Sequence, residues 1–237
     1  NSFKLNFIKR FKNIIHVPTE KLIDPKKMKE LIKLYTPLEI SCALRATCHK
    51  YILEKTSINR WLMIDADVAI LGSLDDIFNK LNISQIFLTS HTKKPANEFN
   101  GIISNELSFL KHGLYNGGVV GFQRGEESKK AILWLEDRLL NYSENSRQRI
   151  VDNIQNRFDC LFLDQLWLNF IPIYFNKCQI SFEHRFNLGH WNLWEKELYL
   201  DDKKIYIHGD KPVIAAHFSS LPLKNLNKVS LHSNLYI

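Results

Sequence analysis

The chain contains no run of eighteen apolar residues and opens on no signal peptide, so no helix in it is expected to span a membrane. Its four cysteines, Cys42, Cys48, Cys160 and Cys178, show no CxxC spacing. Cys42 and Cys48 would face different sides of a helix, which leaves reduced, buried thiols in a cytoplasmic protein as the simplest reading. No repeat, low-complexity block or Gly/Ser linker divides the sequence, so residues 1–237 are read as a single domain. An aromatic-interleaved RNP-type sequence, a zinc finger and a basic zipper are all missing as well. Nucleic acid is therefore not an expected partner.

What is present is an ordinary globular composition, 45% hydrophobic and 24% charged, with an unevenly placed positive charge. Residues 1–60 hold 13 Lys/Arg against 5 Asp/Glu, a net of +8, whereas the remaining 19 against 20 give −1. Such a basic quarter attracts a diphosphate or an anionic membrane surface, or else solubilises the face of a helix over Pro25 to Leu34. Aromatic residues make up 12% of the chain, enough for rings in a binding cleft as well as in the core.

The apolar pattern predicts alternating strands and helices. Asn13 to Val17 reads as a short strand that enters a loop at Pro18. Thr36 as N-cap, Pro37 at the first helical position and Glu39 closing a capping box start a helix that runs to about Lys55. Trp61 to Ile64 is too short and too apolar for anything but a buried central strand, and it empties into Asp65-Ala66-Asp67. Ser73 with Asp76 caps a short helix through Leu81, and Gln85 to Thr89 is a further strand. Val119 to Phe122 follows a Gly117-Gly118 turn as another, and Glu126 to Tyr142 is an amphipathic helix with acidic residues at its start. This alternation implies an α/β domain with a mostly parallel central sheet and helices on both faces. Ligands in such folds bind beyond the carboxyl ends of the strands.

Several residue groups carry chemistry. Asp65 and Asp67 at a strand end bring two carboxylates together, which a divalent cation or a shared proton must compensate; the alternative is a capped turn. His217 ends a second apolar strand, Pro212 to Ala216, and is either a third ligand or a hydrogen-bonded core histidine. Asn116-Gly117-Gly118 allows close approach of backbone to a ligand, or forms a tight turn. Asp164-Gln165 heads the apolar stretch Phe162 to Asn169 and offers a carboxylate and an amide, or a plain N-cap. The loop Phe186 to Asn192 combines rings, amides and His190, a set suited to carbohydrate or to a surface turn around a buried Trp191.

The order of these groups resembles that of bacterial GT-A glycosyltransferases related to glycosyltransferase family 8: Asp-x-Asp after an apolar strand, Tyr-Asn-x-Gly, Asp-Gln-x-Trp, Asn-x-x-x-Trp-Asn, then His-Phe-Ser. The resemblance runs from about Tyr35 to Ser219. It implies the GT-A, or nucleotide-diphospho-sugar transferase, fold, and transfer of a sugar from a nucleotide sugar, expected to be a UDP-sugar. The acceptor would be a glycan or a lipid-linked chain, as in bacterial cell-surface polysaccharide synthesis. It also implies a Mn2+ or Mg2+ ion on Asp65, Asp67 and His217, with Asp65 reaching the metal or the ribose. Arg45 would face the donor, and Asp164 and Gln165 would sit between donor and acceptor. Asn116, Gly117 and Gly118 would contact the donor sugar, and Asn187, Gly189, Trp191, Asn192 and Ser219 would shape the same pocket. Retention at the anomeric carbon follows from the same resemblance, whereas the +8 of residues 1–60 points to the inner face of a membrane as an anionic partner.

In two respects the chain departs from that pattern. It begins at Asn1 rather than Met, and nothing before Asn13 resembles the opening nucleobase-binding strand, which is expected to lie outside this chain. Ser219-Ser220 replaces the common Ser-Gly or Thr-Gly, which puts close backbone approach to a diphosphate at issue. Two other classes fit parts of the sequence: a phosphohydrolase with a strand-end DxD, and a non-catalytic sugar-binding protein.

Overall fold

The computed structural model describes residues 11–97, 99, 102–142, 163–195, 197–202, 204–207, 211–222 and 230–231. Cys160 and Phe162 therefore lie outside the described residues. The segment 11–18 is not a strand, contrary to its apolar pattern. Ile14 and Ile15 are exposed, and no strand among the described residues pairs with them. After a 3-10 turn at Thr19–Lys21 come two α-helices, α1 (Pro25–Leu34), whose Asp24 side chain caps the N–H groups of Lys26 and Lys27, and α2 (Pro37–Lys55). The capping box of α2 forms as its sequence predicts: Thr36 Oγ1 accepts from the Glu39 N–H and Glu39 Oε2 from the Thr36 N–H.

Four strands form the main sheet in the order β1 (Arg60–Ile64), β4 (Tyr115–Gln123), β3 (Ile86–Ser90), β5 (Cys178–Ser181). Only the β3–β5 pair is parallel; β4 runs antiparallel to both β1 and β3, so the sheet is mixed rather than mostly parallel. The reason lies in the connection from β3 to β4. It includes α4 (Leu107–His112) but returns at the same end of the sheet, where the His91 N–H donates to the Leu114 carbonyl, so the chain re-enters antiparallel. Arg60 to Ile64 is also an edge strand among the described residues, with Trp61 its one buried residue. Gly117 and Gly118 belong to β4 itself and form no turn.

Helices cover both faces of this sheet. On one face Ile86, Leu88, Val120, Phe122 and Trp61 pack with residues of α1, α2 and α5 (Glu126–Tyr142), including Leu31, Ala43, Ala46, Ile132 and Leu139. On the other, Phe87 and Val119 meet Ile77 and Leu81 of α3 (Asp75–Ile83), together with Phe186 and Ile214. The cap of α3 differs from its sequence signature: Ser73 Oγ accepts from the Asp75 N–H, and Asp76 is bonded to Arg185 Nη2 at 2.6 Å. A second sheet, in the order β2 (Val68–Ile70), β9 (Ala215–His217), β6 (Leu188–Gly189), lies beside that face. A hairpin of β7 (Leu198–Asp201) and β8 (Lys204–Ile207) completes the strands. Cys42, Cys48 and Cys178 form no disulfide, and burial raises all three thiol pKa values.

Candidate metal and sugar-nucleotide site

Asp65 is the first residue beyond β1, and its N–H donates to the Gly118 carbonyl at 3.0 Å, which extends the ladder to β4 by one rung. Asp67 immediately precedes β2, where the antiparallel register sets Val68 opposite His217. Two strand ends from different sheets therefore converge. The ligand atoms of Asp65, Asp67 and His217 all lie within 4.8 Å of one another, and His217 Nε2 is 3.1 Å from Asp67 Oδ1. Two ligands about 2.1 Å from a common divalent ion and a right angle apart are separated by about 3 Å, so this spacing fits a shared cation. The donor set fits as well, since two carboxylates and an imidazole suit manganese or magnesium better than a softer ion.

The electrostatics point the same way. Burial lowers the His217 pKa, although the carboxylates of Asp67 and Asp65 pull against it. Burial also raises the Asp65 pKa, against the opposing effect of Arg45. The first shift favours neutral imidazole, the form that binds a metal ion, and the second is a penalty on the carboxylate that a divalent ion would reverse.

Arg45, from the middle of α2, joins this cluster to a third carboxylate, that of Asp164. Its Nη2 donates to Asp65 Oδ1 at 2.6 Å, its Nη1 to Asp164 Oδ2 at 2.6 Å, and Nη1 also reaches the Gly117 carbonyl at 3.1 Å. Burial would lower the Arg45 pKa, but Asp164 and Asp65 outweigh it and hold it above its ordinary value. Asp164 precedes the one-turn helix α6 (Gln165–Leu168) and makes no side-chain cap there, because its carboxylate is turned to Arg45. Leu163, just before it, has φ of 49°, a left-handed conformation that an L-leucine adopts at a cost. Strain of this kind next to a polar cluster is common where side chains are held for chemistry.

The paired glycines serve this convergence by leaving space, with no unusual backbone angle at either. A Cβ on Gly117 would sit 2.6 Å from both Arg45 Nη1 and Asp164 Oδ2, and one on Gly118 would sit 2.3 Å from His217 Cε1. Asn116 and Asn187 are buried beside them and bonded to each other. Gln165 spends its amide inside the fold: Oε1 accepts from the Gly117 N–H at 3.0 Å, and Nε2 donates to the His112 carbonyl.

The loop expected to present rings and amides to a sugar is turned inward. Trp191 is buried, with its ring 5.0 Å from that of His217 and in contact with Gly189, where any Cβ would meet it at 2.5 Å. Asn192 is buried too and closes the turn, accepting from the Gly189 N–H and donating to the Asn187 carbonyl. Both support the site from beneath. Ser219 is half-buried, and its carbonyl accepts from Ser230 Oγ. Ser220 has φ of 55°, so serine occupies the left-handed position that glycine would fill at least cost.

Sequence reasoning passed over His91 and Thr89. Both lie at the carboxyl end of β3 and bond to Asn116 and Asn187 respectively. The same signal that marked His217, a polar residue ending an apolar strand, was available for both. It also passed over the buried pair of His184 and Glu195, 3.0 Å apart, in which Glu195 holds the loop after β3 by accepting from the Lys93 N–H.

No protein-family model matches the chain. A curated relative, the uncharacterised protein YfnF of Bacillus subtilis (strain 168), is 25% identical over 118 residues, which is 49% of this chain and 35% of that protein. The chain thus matches about a third of the relative's length. Among solved structures, the galactosyltransferase LgtC in complex with donor and acceptor sugar analogues aligns with a TM-score of 0.41 and 15% identity, over 82% of this chain and 64% of that one. Mouse xyloside xylosyltransferase 1 in its apo form aligns with a TM-score of 0.41 and 14% identity, over 84% and 71%.

Proposed function

We propose that this chain is a metal-dependent glycosyltransferase of the GT-A type, related to family 8. It would transfer a sugar from a nucleotide diphosphate sugar of the UDP class to a glycan or lipid-linked acceptor, with retention. The observation that carries this reading is the convergence of Asp65, Asp67 and His217 within 4.8 Å, tied through Arg45 to the buried Asp164. The order of motifs along the sequence supports it independently.

When bound, a divalent ion supplies positive charge against the diphosphate leaving group. Asp65, Asp67 and His217 would hold it. Arg45 acts as a positioning residue, because its fork fixes Asp164 relative to Asp65 and so relates the carboxylate to the metal end of the site. Asp164 is the carboxylate nearest the anomeric carbon, where it faces positive charge developing on the sugar. Asn116 and the glycine pair line the donor sugar side. A phosphohydrolase would need a second acidic pair at the site; Asp75 and Asp76 lie instead on α3, and Asp201 and Asp202 on the β7–β8 hairpin.

Release of nucleoside diphosphate from a panel of sugar nucleotides, with and without Mn2+, tests the assignment. Metal-dependent release is expected, and Asp67→Ala should abolish it. Full activity with unchanged Mn2+ affinity in that variant would sink the site. No release from any donor would leave the sugar-binding alternative in its place.

We also infer that the acceptor lies at an anionic membrane surface. No helix among the described residues is long and apolar enough to cross a membrane. The helix α1 exposes Lys26, Lys29 and Lys33 on the side away from buried Leu31, and none of the three forms an ion pair among the described residues. Each such cation near an anionic surface contributes about 1 kcal/mol. Co-sedimentation with anionic vesicles at low salt, lost at about 1 M where the Debye length is near 3 Å, is the expected result. Equal or absent binding to anionic and neutral vesicles would reduce these lysines to a solubilising role.

A further inference from the structure

Only one ring nitrogen of His217 faces the carboxylates, and something must keep the proton off it. We propose that Asn187 is a positioning residue that holds His217 as its Nδ1-protonated tautomer, leaving the Nε2 lone pair for the ion; the inference rests on the metal-site reading above. The assignment starts from backbone groups, whose donor and acceptor roles are not in question. The Gly118 N–H lies 2.8 Å from the Asn116 side chain, so the atom it meets is Oδ1. That same oxygen is 2.8 Å from Asn187, which must therefore present Nδ2 to it. The Asn187 amide also donates to Thr89 Oγ1 at 2.9 Å, and the Thr89 hydroxyl passes its own proton to the Val119 carbonyl.

With Nδ2 so committed, Asn187 turns Oδ1 toward His217 Nδ1 at 3.2 Å, and an oxygen acceptor there requires Nδ1–H. Neutral His217 then has a bare Nε2, 3.1 Å from Asp67 Oδ1. Two acceptors in contact are compatible when a cation lies between them.

The other end of the relay gives an independent check. The Gly117 N–H fixes Gln165 Oε1, which accepts from Asn116 Nδ2 at 3.2 Å. Asn116 Nδ2 also meets His91 Nε2 at 3.1 Å, so His91 carries its proton on Nδ1, and that nitrogen lies 3.0 Å from the Gly113 carbonyl, an obligate acceptor. Three backbone groups, the N–H of Gly118, the N–H of Gly117 and the carbonyl of Gly113, thus agree on one orientation for both asparagines. Asn187 and Asn116 are buried, so water does not compete for these bonds. Asn192 holds the loop in register from below, donating to the Asn187 carbonyl at 3.1 Å.

Long-range 1H–15N correlation spectra recorded with and without diamagnetic Mg2+ read the ring protons directly, with the His217 signals identified by their loss in His217→Gln. Nδ1 should carry a proton in both states, and Nε2 should show a lone pair once Mg2+ is bound. In Asn187→Ala the pattern should shift toward Nε2–H or a mixture while that of His91 is kept. Mn2+ affinity, followed by electron paramagnetic resonance, should weaken by about 10- to 100-fold. A wild-type protein with no proton on Nδ1 would overturn the proposal without any variant, and so would Asn187→Ala with an unaltered pattern. If the tautomer is as proposed but the wild type binds no Mn2+, the positioning claim stands and the metal reading fails.

Discussion

The two halves of β4 are built for different purposes, and they are separated by one irregularity. In the second half, Val119 to Phe122 alternate between the two apolar cores: Val120 and Phe122 pack with α1, α2 and α5, and Val119 packs with α3 and Ile214. In the first half, Asn116, Gly117 and Gly118 make polar contacts on both sides. Between them the register with β3 slips, so that Leu88 pairs with Val120 but Thr89 pairs with Asn116. Continued alternation would have put Gly118 on the Val120 side. Instead Gly118 opposes His217, and Gly117 opposes Arg45 of α2. The bulge re-aims the end of one strand so that a helix from one face and a strand from the other meet at a single point. A regular ladder would have turned Gly118 toward Arg45 and Gly117 toward His217.

The two halves of β4 should respond differently to substitution. The largest effect is expected from Phe122→Ala in the apolar half, which removes a fully buried ring stacked on Trp61 and should cost about 3–5 kcal/mol in a denaturant titration. Any protein that remains folded should keep its Mn2+ affinity. Gly118→Ala in the polar half should do the opposite. Its Cβ would collide with the His217 ring, so Mn2+ affinity should fall by about 10- to 100-fold with a smaller loss of stability. Equal losses of both kinds in the two variants would erase the distinction.

Acid should affect the two halves alike. His49 lies against Phe122 and accepts from Trp61 Nε1, and His91 is bonded to Asn116; burial lowers the pKa of each to about 3. The unfolded chain takes up these protons near pH 6.5 and the folded chain does not. Stability is thus intact above about pH 6.5 and declines as pH falls toward 3, by about 1.4 kcal/mol per pH unit for each histidine. Urea titrations between pH 7 and 5, above most carboxylate titration, should show this slope; a flat profile would mean that one or both rings are hydrated. The smallest effect is expected from Ser220→Gly, which relieves a left-handed serine and should change stability by no more than about 1 kcal/mol, in the favourable direction, by thermal melting.

Much of this arrangement was legible in the residues. The capping box of Thr36 and Glu39 is a local pattern with a local cause, and it placed the helix that carries Arg45. Asp65, Asp67 and His217 each end an apolar run, so their approach to the same end of the fold followed from strand chemistry and the resemblance together. The direction of β4 was not legible, because it depends on whether the β3–β4 connection crosses the sheet or turns back, and residues 91–114 carry no signal for that choice. Asn13 to Val17 misled because apolar composition alone cannot supply a pairing partner. The loop at Trp191 and Asn192 has the composition of a sugar-binding surface, but burial turned it into support for His217.

The start of α2, the apolar runs of β1, β3 and β4 and the residue types of the Asp65, Asp67 and His217 cluster are local properties of the sequence, because caps, periodicity and side-chain type act over a few residues. Tertiary structure alone decided which glycine faces Arg45 and which faces His217, since that depends on a slip in register between strands about thirty residues apart. It also decided the orientation of the amides between His91 and His217. Only when Gly113, Gly117 and Gly118 bring obligate backbone donors and an acceptor against two buried asparagines does one hydrogen-bond pattern satisfy them all.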